Sequence, residues 1–170
     1  MIPDRFRDRI LAHAEAVYSI RGYPLMLAIQ GSPGVGKSYQ TFKVLQAAGF
    51  AVIRESATKF QGKHEGDGRR LVIAEYERAI ETARDRACAS PAILIEDFDL
   101  STAVQKEGVT YTVNSDLLNG FLMNLTDDVA MEFPDDPIRI PIFLTGNDFS
   151  LLYGPLKRHG RLDVFTWDPS

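Results

Sequence analysis

The eight residues Gly31-Ser32-Pro33-Gly34-Val35-Gly36-Lys37-Ser38 constrain this chain more than any other stretch. They match the pattern G-x-x-x-x-G-K-[ST] in full, and each fixed position has a physical reason. Glycines at 34 and 36 allow positive φ and let backbone amides approach a phosphate with no Cβ in the way. A helix beginning near Lys37 points its unpaired N–H groups and the positive end of its dipole at the same anion. Lys37 adds a full charge toward the β- and γ-phosphates, and the Ser38 hydroxyl suits a Mg2+ ligand. With Ser32, Pro33 and Val35 inside the loop and Tyr39 just after it, residues 31–39 are the expected nucleotide-binding segment.

The flanks fit a P-loop. Leu25-Met26-Leu27-Ala28-Ile29 is a short apolar run that reads as a buried strand, and Tyr39, Phe42, Val44 and Leu45 recur at helical spacing between Ser38 and Ala48. Strand, glycine loop and helix occur in the order that phosphate binding requires.

Further elements follow from periodicity. Phe6, Ile10, Ala14 and Val17 predict an amphipathic helix over Asp4–Ile20, stopped by Arg21-Gly22-Tyr23-Pro24, so residues 1–24 read as an N-terminal helix and linker and 25–170 as a nucleotide-binding α/β unit. Phe50 to Ile53 reads as a second strand, and Glu55 to Gly68 as a polar loop with a helical turn at Ala57 to Phe60. A long helix then carries Val72, Tyr76, Ala79 or Ile80, Ala83 and Ala87 on one face; its charged residues read as a solvated surface. After Pro91 come a strand over Ala92–Ile95, a polar connector from Leu100 to Tyr111 and a helix bearing Val113, Leu117, Leu118, Phe121, Leu122 and Leu125. An acidic loop from Asp127 to Pro137 leads to a strand ending at Thr145 that starts at Pro141 or just after, where proline's missing donor is tolerated. A short helix over Ser150–Lys157 and a strand over Val164–Trp167 complete the pattern.

Strands alternating with helices predict a parallel sheet with helices on both faces, which binds ligands beyond the carboxyl ends of its strands. Gly31 to Ser38, Glu96 to Asp99 and Asn147 all converge there. Glu96 and Asp97 end an apolar strand, the position from which one carboxylate holds Mg2+ and another polarises the attacking water. Either can take either role; the expected division gives the metal to Ser38 and Glu96 and the water to Asp97. Asn147 can hydrogen-bond both that water and the γ-phosphate, although Gly146-Asn147-Asp148 is equally good turn chemistry. Arg158 and Arg161 can neutralise charge developing on a γ-phosphate, and Lys157 and Arg158 also suit a helix C-terminus.

Composition excludes other classes. A net charge of −4 argues against a general nucleic-acid surface, which needs clustered Lys and Arg. No apolar run approaches membrane-spanning length, and Asp4, Arg5, Arg7 and Asp8 do not suit a signal peptide, so a cytoplasmic location is the default expectation. Cys88 is the single cysteine, which leaves no intramolecular disulfide.

Over much of its length the chain resembles the AAA+ ATPase core and, within it, the green-type Rubisco activases. The resemblance is carried by Tyr111-Thr112-Val113-Asn114, Leu122-Met123-Asn124, the run from Arg139 through Thr145-Gly146-Asn147-Asp148-Phe149-Ser150, Leu152-Tyr153-Gly154-Pro155-Leu156, and the Arg158 to Arg161 pair. It implies a three-layer α/β/α core with a five-stranded parallel sheet, ATP and Mg2+ as ligands, Gly31 to Ser38 as Walker A, Glu96 and Asp97 as Walker B, and Asn147 as sensor 1. It implies Arg158 and Arg161 as arginine fingers acting on a neighbour's nucleotide, and a first pore loop over Phe60–Gly66 with Gln61, Gly62, Lys63, His64 and Glu65 as its contact residues. The connector from Ser101 to Tyr111 would be the second pore loop. The family works as a ring, usually a hexamer, that uses ATP hydrolysis to release inhibitory sugar phosphates from Rubisco, in cytoplasm or plastid stroma. Walker B here reads Glu-Asp where the family usually has Asp-Glu, and the pore loop lacks an aromatic paddle. No helical lid with a second sensor arginine follows Trp167-Asp168-Pro169-Ser170, so slow hydrolysis is expected of this chain alone. Two alternatives stand beside this reading: a AAA+ regulator of another protein complex, and a P-loop small-molecule kinase.

Overall fold

The computed structural model describes residues 2–60, 67–85, 89–98, 122–135, 137–150, 158 and 160–169. Its elements are α1 (Asp4–Ser19), β1 (Met26–Gln30), α2 (Lys37–Ala47), β2 (Ala51–Ser56), a 3-10 turn (Ala57–Phe60), α3 (Asp67–Arg84), β3 (Pro91–Glu96), α4 (Val129–Glu132), β4 (Ile142–Thr145) and β5 (Leu162–Thr166). Residues 122–127 are also helical. The five strands pair in parallel in the order β2-β3-β4-β1-β5.

The three central strands, β3, β4 and β1, are apolar on both sides because both sides are covered. Leu27, Ile29, Leu94 and Phe143 pack with Phe6, Ile10 and Ala14 of α1 and Val44 and Leu45 of α2. Their neighbours in sequence, Met26, Ala28, Ile93, Ile95, Ile142 and Leu144, face Val72, Tyr76, Ala79 and Ile80 of α3 together with Leu122 and Leu125. This two-layer cover makes the expected three-layer core. The period-four pattern of α1 does what it predicts: Phe6, fully buried, meets the rings of Trp167 at 4.9 Å and Phe165 at 5.8 Å.

Four local expectations are corrected. Tyr39 was grouped with the apolar face of its helix, yet it is 60% exposed; the buried positions of α2 are Lys37, Thr41, Val44 and Leu45. β2 runs on to Ser56, since Glu55 and Ser56 pair with Ile95 and Glu96 despite their polarity. The acidic segment after Asp127 holds the one-turn helix α4, whose first turn is capped by Asp128 accepting from the Ala130 N–H at 2.9 Å. β5 begins at Leu162 and ends at Thr166, so Trp167 follows the strand. Cys88, the residues 61–65, the connector 101–111, most of the helix predicted over 113–125 and the helix predicted over 150–157 beyond Ser150 lie outside the described residues.

Side chains close the amino ends of the strands. The buried His13 donates from Nε2 to the Leu25 carbonyl at 3.4 Å, and burial pushes its pKa down to about 4, so the ring is neutral. Tyr18 donates to the Pro91 carbonyl at 2.5 Å, and Arg139 donates to the Tyr23 carbonyl. Tyr76 donates to the Ile138 carbonyl at 2.8 Å and accepts from the Ile140 N–H at 3.0 Å.

Candidate functional site

The loop between β1 and α2 departs from the opposite, carboxyl edge of the sheet. Gly31 starts it in a position only glycine can occupy: a Cβ there would stand 2.2 Å from the Trp167 carbonyl oxygen. Trp167 is itself tied to the strand, its N–H donating to Gln30 at 2.7 Å. The loop ends at Gly36, whose left-handed backbone (φ 80, ψ 19) turns the chain into α2 with no side-chain cap on the helix start. Uncapped first-turn amides are what an anion needs there.

Lys37 is buried against this loop. Its ammonium donates to the carbonyls of Gly31 at 2.8 Å and Ser32 at 2.9 Å, and to Asn147 Oδ1 at 3.3 Å. The Gly31 N–H in turn donates to the Asn147 carbonyl at 3.3 Å, so the end of β4 and the start of the loop are held together by both backbone and side chain. Ser38 Oγ lies 2.6 Å from Thr145 Oγ1, on the last residue of β4.

Pro33, Gly34, Gly36, Lys37, Ser38, Tyr39, Asp97 and Asn147 line one cavity of about 310 Å³. The polar residues singled out in the loop, after β3 and after β4 therefore reach the same space from three separate segments. The two carboxylates do not share it. Asp97 has left the strand with φ 54, a left-handed conformation that aspartate tolerates better than most residues, and it lines the cavity. Glu96, still in the strand, points along the sheet to Arg54 of β2, whose Nε donates to Oε1 at 2.7 Å. That guanidinium also lies 5.1 Å over the Phe42 ring of α2. The alternation of β3 explains the split, because Glu96 shares the face of Leu94, the register partner of Arg54.

Ser38 and Asp97 offer the hydroxyl and carboxylate oxygens that suit Mg2+, beside a lysine and helix amides that suit phosphates. Among the described residues no group of three His, Cys, Asp or Glu could hold a metal by itself. Mg2+ is usually held by one or two protein oxygens plus substrate oxygens.

Arg161 stands elsewhere. Leu162 pairs with Met26 and Thr166 with Gln30, so Arg161 precedes the start of β5 at the amino edge. Level with Leu25, six residues before Gly31, it is roughly 20 Å along the strand from the loop of its own chain at about 3.3 Å per residue. There its Nε and Nη2 donate to Oδ1 and Oδ2 of Asp127, both at 2.6 Å. Arg158, exposed, accepts from the Arg161 N–H at 3.2 Å in the turn before the strand.

Sequence reasoning passed over Thr145, Arg54 and Asp127. Thr145 left a readable signal, a hydroxyl ending an otherwise apolar strand; the pairs Arg54–Glu96 and Asp127–Arg161, 42 and 34 residues apart, left none.

A comparison with family models matches residues 27–169 to the ATPase family associated with various cellular activities (AAA). Among curated proteins, the chain is 36% identical to a ribulose bisphosphate carboxylase/oxygenase activase of a Nostoc species, over 99% of this chain and 43% of the relative. It is 35% identical to the chloroplastic activase of Vigna radiata and 33% identical to chloroplastic activase 1 of Nicotiana tabacum, each over 99% of this chain and 40% of the relative. The chain thus spans about two fifths of the length of these relatives.

Proposed function

The chain belongs to the AAA family of ATPases, and on that premise we propose that it is the ATP-hydrolysing α/β core of a protein-remodelling ring of Rubisco-activase type. The observation that carries this reading is the single cavity shared by Lys37, Ser38, Asp97 and Asn147. The client is Rubisco, which the names of the relatives support, and in this reading the ring releases inhibitory sugar phosphates from it, in cytoplasm or plastid stroma.

In the mechanism we propose, the loop amides and the first turn of α2 hold the β- and γ-phosphates, and Lys37 turns from the Gly31 and Ser32 carbonyls toward them. Ser38 would hold Mg2+, which when bound would supply charge neutralisation to the phosphates. Glu96 would join it after release from Arg54. Asp97 accepts a proton from the attacking water, and Asn147 orients that water, its Oδ1 already beside Lys37. Arg161, with Arg158, completes the site of the adjacent subunit; support comes from its position on the sheet edge remote from its own loop. The arrangement as a ring, hexameric by family habit, makes that sharing possible. Residues 61–65 serve as a pore loop in the same reading.

The test is release of a tight-binding sugar phosphate from inhibited Rubisco by the full-length protein, followed together with phosphate production. Both should require ATP, and Lys37→Met should weaken ATP binding about 100-fold, the worth of one to two charge-assisted hydrogen bonds. Phosphate production without Rubisco release would remove the client and leave the ATPase.

A further inference from the structure

Thr145 is 1% exposed at the last position of β4, and its register partner is Ile29, two residues before the loop begins. A buried hydroxyl is costly unless bonded, and the partner here is the cavity-facing hydroxyl of Ser38, 2.6 Å away. The distance is that of a well-formed O–H···O bond. The two groups differ in freedom. Ser38 sits in the first turn of α2, where its χ1 has alternative staggered wells, whereas the β-branched Thr145 is stiff and anchored in the middle of the sheet.

That asymmetry matters for a serine that ligates a cation. A hydroxyl oxygen giving a lone pair to a metal must send its proton to another acceptor, so a fixed acceptor restricts where its lone pairs point. Either hydroxyl of the Ser38–Thr145 pair can donate, so Thr145 Oγ1, 2.6 Å away on the last residue of β4, is placed to take that proton.

We infer that Thr145 is a positioning residue for cation coordination: it accepts the Ser38 proton and holds the Ser38 lone pairs toward Mg2+ bound with a nucleotide. The inference rests on the reading of this cavity as a magnesium–nucleotide site. Through this contact the end of β4, with Asn147 two residues beyond it, would be coupled to occupancy of the metal position.

The experiment measures the dissociation constant of a fluorescent ATP analogue on the full chain, with Mg2+ and with EDTA, for wild type, Thr145→Val, Thr145→Ser, Ser38→Ala and the Val/Ala double variant. Thr145→Val keeps the shape and loses the hydroxyl. It should weaken binding about tenfold with Mg2+ and change it by less than about twofold with EDTA, the usual scale for a partner of a metal ligand. Thr145→Ser should restore most of the loss, and in the Ser38→Ala background Thr145→Val should cost nothing further. Equal losses with and without Mg2+, or a loss that persists without Ser38, would show a packing role and overturn the inference. A wild-type chain whose affinity ignores Mg2+ would overturn the magnesium–nucleotide reading, and with it the role of Thr145.

Discussion

The two edges of the sheet carry similar groups used in different ways. At the amino edge, His13, Tyr18, Tyr76 and Arg139 each engage a backbone group at or near the start of a strand. At the carboxyl edge, Lys37 bonds to Asn147 and to the loop carbonyls, and Ser38 bonds to Thr145, around a cavity. The first edge is closed by side chains reaching in from other segments. In the second, the partners are members of the same site, so a ligand can take them over without leaving a distant carbonyl orphaned. Binding at the carboxyl ends of parallel strands follows from the turns there, which diverge and expose helix starts.

Three experiments press on this contrast. Arg161→Ala should lower ATP hydrolysis by about 1,000-fold in the assembled protein while ATP affinity changes less than about twofold, as expected of an arginine acting on a transferring phosphoryl group from outside the binding site. A loss of ATP binding would place that arginine in its own chain's site and erase the difference between the edges.

The second concerns His13. Its pKa is lowered from 6.5 to about 4 by burial, against the Leu25 carbonyl and with Arg9 and Asp163 nearby. Below pH 6.5 the unfolded chain takes up a proton that the native ring refuses, so the stability present above that pH is lost as pH falls, by about 3 kcal/mol once pH 4 is reached. Urea unfolding at several pH values should show this loss, and His13→Leu should remove it. An unchanged slope in His13→Leu would mean that other groups set the acid sensitivity.

The smallest effect is expected of Tyr76→Phe, which leaves the Ile138 carbonyl and Ile140 N–H without their partner while keeping the ring stacked at 4.9 Å on Phe133. Unfolding should become easier by about 1–2 kcal/mol, with ATP affinity unchanged. A change in affinity would show that the closed edge communicates with the open one.

Much of this was legible in residue order. The loop pattern names its ligand because each position answers to phosphate geometry, and the apolar runs announce a covered parallel sheet. Helical spacing places Tyr39 in α2 but does not tell its direction: it is 60% exposed and lines the cavity, because the first turn of α2 faces the site as well as the core. The extension of β2 to Ser56 was missed because an edge strand tolerates polar residues that look like a loop. Periodicity also could not separate Glu96 from Asp97, since adjacent carboxylates read alike until one residue leaves the strand with a positive φ.

By itself, then, the sequence determined the phosphate loop, the order of strands and helices and the identity of the polar residues beyond each strand, because these depend on local backbone preferences and spacing. The tertiary structure alone decided that Asp97 rather than Glu96 faces the cavity, that Thr145 meets Ser38, and that Arg161 stands with Asp127 on the edge remote from its own loop. Those outcomes depend on the register and strand order of the sheet, which join residues far apart in the chain and leave no periodic trace along it.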